Sequence, residues 1–229
     1  EIAYMESHKY RYKHIIKSIP ITTNTIRILD IGTTPFTIFL KQNYPNYEIS
    51  TLDRTNLMES RCKAEGIGFA ASDLDNAAIP LEDNYYDVVI FTEVLEHIFA
   101  PATDVLNEIR RIMRRGGKLI LSVPNIAAIN KRIKLLFGIT PLKHPDIQMK
   151  KDWVHGHGHI HEYTMKEITS ILKSCNFIIS KRTFIQPGIS DALGRANKRI
   201  TLISREIMRS TAGFLIPSFK LIIFIECNK

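Results

Sequence analysis

Cysteine is scarce in this chain and long apolar runs are missing. Cys62, Cys175 and Cys227 stand far apart and odd in number, which excludes a paired disulfide framework or a zinc-type cysteine spacing and fits a reducing, cytoplasmic setting. The longest apolar run, Phe214 to Ile225, is broken by Pro217 and Lys220 and falls short of the roughly 20 residues that a membrane span needs, so no transmembrane segment is expected. The opening residues Glu1 to Glu6 show no basic-then-apolar signal pattern. The Gly-x-Gly-x-x-Gly of a nicotinamide site is absent.

What remains is an ordinary globular composition. The 229 residues are 45% hydrophobic and 24% charged, enough for one domain with a sizeable core and too apolar for extended disorder. One domain over residues 1–229 is expected, with a leading helix within 1–20 and an insert at 126–161 forming a lid or substrate wall. The net charge of +8 is compatible with an anionic partner or simply with a solvated basic surface.

Arg27-Ile28-Leu29-Asp30-Ile31-Gly32 is an apolar run ending in an acid and a glycine, the pattern of a buried strand that breaks into a tight turn under a ligand. About 20 residues later Tyr47 to Leu52 runs into Asp53, where an open α/β sheet sets a carboxylate against ribose hydroxyls. Asp73, with Ser72 and Leu74, follows a weaker apolar stretch. Apolar residues at mixed three- and four-residue steps predict helices over 4–18, 35–43, 56–65, 101–115 and 126–137, and Thr164 with Glu167 forms a capping-box pattern opening another at 164–174. Strands are predicted at 67–71, 177–185 and 220–226. The alternation implies a Rossmann-like, doubly wound, mostly parallel seven-stranded sheet with helices on both faces and the last strand antiparallel, carrying its ligands at the carboxyl ends of the strands.

The order of these pieces, together with Tyr86 to Ile98 containing Thr92-Glu93-Val94-Leu95-Glu96-His97 and with Arg115-Gly116-Gly117 leading to Pro124-Asn125, resembles the class I S-adenosylmethionine-dependent methyltransferases over roughly residues 25 to 185. The resemblance implies S-adenosylmethionine as cofactor and S-adenosylhomocysteine as product. It lays the amino-acid part of the cofactor over Asp30, Ile31, Gly32 and Thr33, the ribose on Asp53 and Arg54, the adenine on Ser72, Asp73 and Leu74, and the methyl group beside Thr92, Glu93, Val94 and His97. The family usually alternates glycines in its first loop. Here Thr34 and Phe36 stand at those places, so either the loop takes another path, with Pro35 opening the next helix, or the cofactor is held more weakly.

An oxygen or nitrogen acceptor needs a base, and His97, His159 and His161 are the candidates because imidazole titrates near working pH. The run His155-Gly156-His157-Gly158-His159-Ile160-His161 can present four imidazoles to one side, a set that suits zinc, nickel or iron, yet no Asp or Cys follows at ligand spacing and no metal site is assigned. Tyr10, Arg11 and Tyr12 of the leading helix either form a surface amphipathic face or, as the resemblance implies, close over the cofactor, and Lys131-Arg132-Ile133-Lys134 with Lys143, Lys150 and Lys151 either make a solvated loop face or draw in an anionic group of the acceptor. The expected activity is methyl transfer to a small acceptor, or to one linked to lipid or sugar. Nucleic acid as acceptor is disfavoured, a cofactor-binding module without turnover is the other alternative, and oligomeric state is not legible.

Overall fold

The computed structural model describes residues 2–76, 78–142, 158–185 and 220–229. Helix α1 (Ile2–Ser18) leads into β1 (Ile26–Ile31), α2 (Pro35–Asn43), β2 (Tyr47–Asp53), α3 (Glu59–Ala64), β3 (Gly68–Ala71), β4 (Tyr86–Thr92), α4 (Ala102–Ile112), β5 (Met113–Pro124), α5 (Ile129–Leu136), α6 (Met165–Ser174), β6 (Ile178–Ile185) and β7 (Ile222–Asn228). The strands form one seven-stranded sheet in the order β3-β2-β1-β4-β5-β7-β6, with β7 antiparallel to both neighbours and the other pairings parallel. The expected fold is the observed one.

Period-two alternation along the central strands divides the apolar residues between two cores. Leu29, Ile31, Val89, Phe91, Leu119 and Leu121 face α4 and α6, where they meet Val105, Leu106, Ile109, Ile168 and Leu172. Ile28, Val88, Ile90 and Ile120 point the other way, toward Tyr12, Ile15 and Ile19 of α1 and Phe36 and Leu40 of α2. Both faces of the sheet are therefore covered, which is why these strands read as nearly unbroken apolar runs. The end of α1 is pinned by charge as well: Glu226 on β7 accepts from Ser18 (2.9 Å), Lys118 (3.2 Å) and Lys181 (2.8 Å).

Several helices are shorter than their apolar spacing predicts. α4 stops at Ile112 rather than at Arg115, because the amides of Asn84 and Tyr85 take the carbonyls of Arg111 and Ile112 and draw the chain into β5. Gly116, at φ +74, then serves a bend inside β5 rather than a helix cap. α3 and α5 likewise begin three residues late, at Glu59 and Ile129. The capping box at Thr164 and Glu167 is formed as expected. Cys62, Cys175 and Cys227 are all buried free thiols, and among the described residues no helix is long and apolar enough to cross a membrane.

Candidate functional site

The turn after β1 is built from hydroxyls. Gly32 turns the chain at φ +89, and a Cβ there would lie 3.0 Å from Val94 Cγ2, so both its backbone and its surroundings require glycine. Thr34, by contrast, sits in extended backbone at φ −136 and caps α2: its hydroxyl accepts from the Phe36 amide, its own amide donates to Thr37 Oγ1, and Pro35 takes the first helical position. Thr37 Oγ1 in turn donates to Asp30 Oδ2 at 2.6 Å. Pro35 thus opens α2 at its first position, the loop path expected where the usual glycines are missing. Phe36 does not enter the cavity but stacks on Tyr12, with ring centroids 4.2 Å apart and planes within 2°, fastening α1 to α2.

A cavity of about 520 Å³ opens at the carboxyl ends of β1, β2 and β4, within the roughly 300–1,000 Å³ usual for small-molecule sites. Its floor is Ile31, Gly32 and Thr33. One end carries Asp53, Arg54, Ser72, Asp73 and Leu74, and the other Thr92, Glu93, Val94, His97 and His159. Asp53 is set by two amides, Thr33 N–H at 2.9 Å and Thr55 N–H at 3.3 Å, and Asp73 accepts from the Asp75 amide at 3.2 Å. From α1, Tyr4, His8 and Arg11 form part of the wall. Arg11 is buried, its Nη1 lies 3.9 Å from Glu93 Oε2, and its Nε has no partner.

Glu93 holds positive φ (+57), which a non-glycine residue keeps only when its surroundings dictate it. Ser122 dictates it twice: its carbonyl accepts the Glu93 amide and its hydroxyl donates to Glu93 Oε1 at 2.9 Å. The strain aims the next turn, Leu95–His97, across the mouth of β4. Glu96 in that turn is 1% exposed and its Oε2 has no hydrogen-bond partner. Burial, then repulsion from Glu93, pushes its carboxyl well above the usual range. His97 Nε2 lies 3.8 Å from Glu96 Oε1, and the His97 and His159 rings meet edge to face at 4.9 Å. Behind His159, Glu162 Oε1 bonds Nδ1 at 2.9 Å while its Oε2 pairs with Lys131 of α5. Burial works to raise Glu162, yet the His159 and Lys131 hydrogen bonds hold it below the ordinary carboxylate range.

Two expected residues do not reach the cavity. Asp30 lies behind the turn with its carboxylate turned onto Thr37; burial pushes it up to about 7 against that hydrogen bond. His161 faces outward, bonded through Nε2 to Glu167 at 2.7 Å in the first turn of α6. His155, His157, Lys143, Lys150 and Lys151, with most of the expected insert, lie outside the described residues. Sequence reasoning passed over Glu96 and Glu162 as partners of the histidines. The Glu96-His97 pair was a visible signal, whereas the approach of Glu162 depends on how the α5 and α6 segments fold together.

A doubly wound sheet in this strand order, with acids at successive strand ends around one cavity, defines a Rossmann-like fold with its ligand site at the carboxyl ends of the strands. Residues 29–121 match the family described as Methyltransferase domain. A protein of Methanocaldococcus jannaschii described as uncharacterised is 33% identical over 104 residues, which are 45% of this chain and 44% of that protein, so the likeness spans less than half of that relative's length. Among solved structures, the fold resembles a Thermotoga maritima methyltransferase described as a possible histamine N-methyltransferase (TM-score 0.64, 13% identity, covering 100% of this chain and 92% of that one). It also resembles a chain of the complex between the Haloferax volcanii Trm112 methyltransferase activator and its methyltransferase (TM-score 0.65, 16% identity, 98% and 91% covered). At such identities the likeness is one of fold. The matched residues 29–121 and the Rossmann-like fold resemble those of S-adenosylmethionine-dependent methyltransferases, which implies S-adenosylmethionine as the cofactor.

The residues present fit that cofactor. Gly32 leaves the floor bare of a side chain, carboxylates at one end suit hydroxyl and amino donors, and the buried unpartnered Nε of Arg11 at the opposite end offers a donor to a carboxylate.

Proposed function

We propose that this protein transfers the methyl group of S-adenosylmethionine to an oxygen or nitrogen of a small acceptor, free or linked to lipid or sugar. The observation that carries the reading is the polarity of this cavity: Asp53 and Asp73 at one end, and Glu93, Glu96, His97 and His159 at the other.

In this reading Asp53 takes the ribose hydroxyls, Ser72, Asp73 and Leu74 surround the adenine, Gly32 and Thr33 lie under the amino-acid portion, and Arg11 holds its carboxylate. Thr92, Glu93 and Val94 border the methyl-bearing sulfur with His97. The cofactor supplies an activated methyl group on a sulfonium, so the protein has mainly to align acceptor and donor and exclude water. His159, oriented by Glu162, is the group placed to accept the acceptor's proton; Glu162 in turn leans on Lys131. Asp30 and His161 take positioning parts, through Thr37 and Glu167 respectively.

A lipid-linked acceptor is supported by α5 and the turn after it. Leu135, Leu136, Phe137 and Ile139 are exposed there beside Lys134, on the element that delivers Lys131 to the site. Apolar side chains next to a cation suit the boundary of an anionic membrane or of a lipid phosphate.

Calorimetric titration with S-adenosylhomocysteine tests the core of the proposal. Saturable binding with thermal stabilisation is expected; no heat and no stabilisation at millimolar ligand would remove it.

A further inference from the structure

We propose that Glu96, His97 and His159 bind a divalent transition-metal ion at the acceptor end of the cavity. Their ligand atoms lie within 4.8 Å of one another. Two imidazoles and one carboxylate on one side of an ion leave its remaining positions open to the cavity, the donor set and geometry by which zinc or iron(II) accepts an exogenous oxygen.

Three features of the surroundings point to an ion rather than to a chance meeting of side chains. Glu96 is 1% exposed, lines the cavity and keeps Oε2 without a partner, a cost that a coordinating cation would cancel. Glu93, the strongest charge acting on Glu96, would gain from the same cation. His159 is backed at Nδ1 by Glu162, the carboxylate–histidine arrangement that fixes the tautomer with Nε2 as ligand and makes the imidazole more basic. Ligands to one ion of this kind stand about 3 Å apart at bonds near 2.0–2.2 Å, so binding requires a contraction of the trio by side-chain rotation.

The site deepens the methyltransferase reading and rests on it only for its purpose: with His159 engaged as a ligand and no longer the base, an acceptor hydroxyl bound to the ion loses its proton to water near neutral pH, which favours oxygen over nitrogen as the methylated atom. Metal binding itself stands apart from that reading. The histidine run does not act as a unit here; His159 joins the turn after β4, while His161 bonds Glu167.

The test uses the full chain stripped with a chelator and titrated with Co²⁺ and Zn²⁺, with S-adenosylhomocysteine titrated in parallel. Expected are one bound equivalent, visible ligand-field absorption from cobalt, and a roughly 100-fold loss of metal affinity in both Glu96→Gln and His159→Ala, with a 10–100-fold loss in Glu162→Gln. His159→Ala and Glu162→Gln should still bind S-adenosylhomocysteine, which shows that they fold. Wild-type protein that binds S-adenosylhomocysteine but gives neither cobalt bands nor heat overturns the metal site and spares the methyltransferase. Metal binding without S-adenosylhomocysteine binding does the reverse, and metal affinity unchanged in folded variants overturns the site.

Discussion

The turns after β1 and β4 each bury a carboxyl at the mouth of a parallel strand, and the two are treated in opposite ways. Asp30 receives the Thr37 hydroxyl at 2.6 Å and never reaches the cavity, whereas Glu96 lines the cavity with one oxygen unpartnered. The first turn is a closed circuit of caps and hydroxyls in which only Gly32 needs an unusual backbone. The second contains a strained Glu93 at φ +57, a desolvated acid and two histidines. Strain and unsatisfied groups persist where something other than folding selects them. The difference teaches that the β1 turn is a frame and the β4 turn a working surface, and substitutions in the two should trade stability against function in opposite senses.

The largest effect belongs to the frame. Phe36→Ala removes a fully buried ring from between α1 and α2 and should cost about 3–5 kcal/mol in denaturant unfolding. A cost below 1 kcal/mol would mean that α1 is not fastened there, and Arg11 would lose its place in the wall. Next comes cofactor affinity: Asp53→Ala should weaken S-adenosylhomocysteine by roughly 1–3 kcal/mol through lost hydrogen bonds, with unfolding free energy changed less than binding. Equal losses in both would make Asp53 part of the frame instead.

The two buried acids sharpen the comparison through pH. Asp30 sits at about 7 in the fold against 3.8 for the ordinary group, and an acid raised on folding favours the native state only while protonated. Its contribution is present below pH 4, is lost as pH rises toward 7, and costs stability above that. Asp30→Asn keeps an acceptor for Thr37 and removes the titration, so it should raise stability at pH 8 by roughly 1–3 kcal/mol and leave it unchanged near pH 4. Glu96 is raised in the same direction, so Glu96→Gln should stabilise at pH 8 as well. The variants part in function, because Asp30→Asn should keep turnover and Glu96→Gln should lose it. Loss of turnover in both would erase the distinction between frame and surface.

How far each turn was legible follows from the range of the interactions that make it. Strand ends, acids and the Gly32 bend are set by neighbours within one β-α unit, so Asp53, Asp73 and Gly32 stood out as a pattern and the structure puts all three around one cavity. The β4 turn showed half of itself, Glu93 and His97, through a local motif. Its other half arrives from β5 as Ser122, from α5 as Lys131 and from the segment before α6 as His159 and Glu162. No spacing along the chain announces those meetings, since they depend on two crossovers packing together. Helix ends were misjudged for a related reason: apolar periodicity continues past Ile112, but the carbonyls of Arg111 and Ile112 are claimed by the amides of Asn84 and Tyr85, just ahead of β4.

The smallest predicted effect bears on why this loop does without the glycines usual in the methyltransferases it resembles. Thr34 occupies such a position at φ −136, where a β-branched residue is at ease, and its hydroxyl caps α2. Thr34→Ala should cost about 1 kcal/mol for the lost cap, while Thr34→Gly should cost only a few tenths, since glycine is itself tolerated at a cap. Neither should alter S-adenosylhomocysteine affinity by more than a few-fold if the ligand rests on Gly32 rather than on Thr34. A marked gain in affinity with Thr34→Gly, measured by calorimetry, would show instead that the threonine crowds the cofactor, and the β1 turn would then join the β4 turn as a place where stability has been chosen at the expense of binding or binding at the expense of stability.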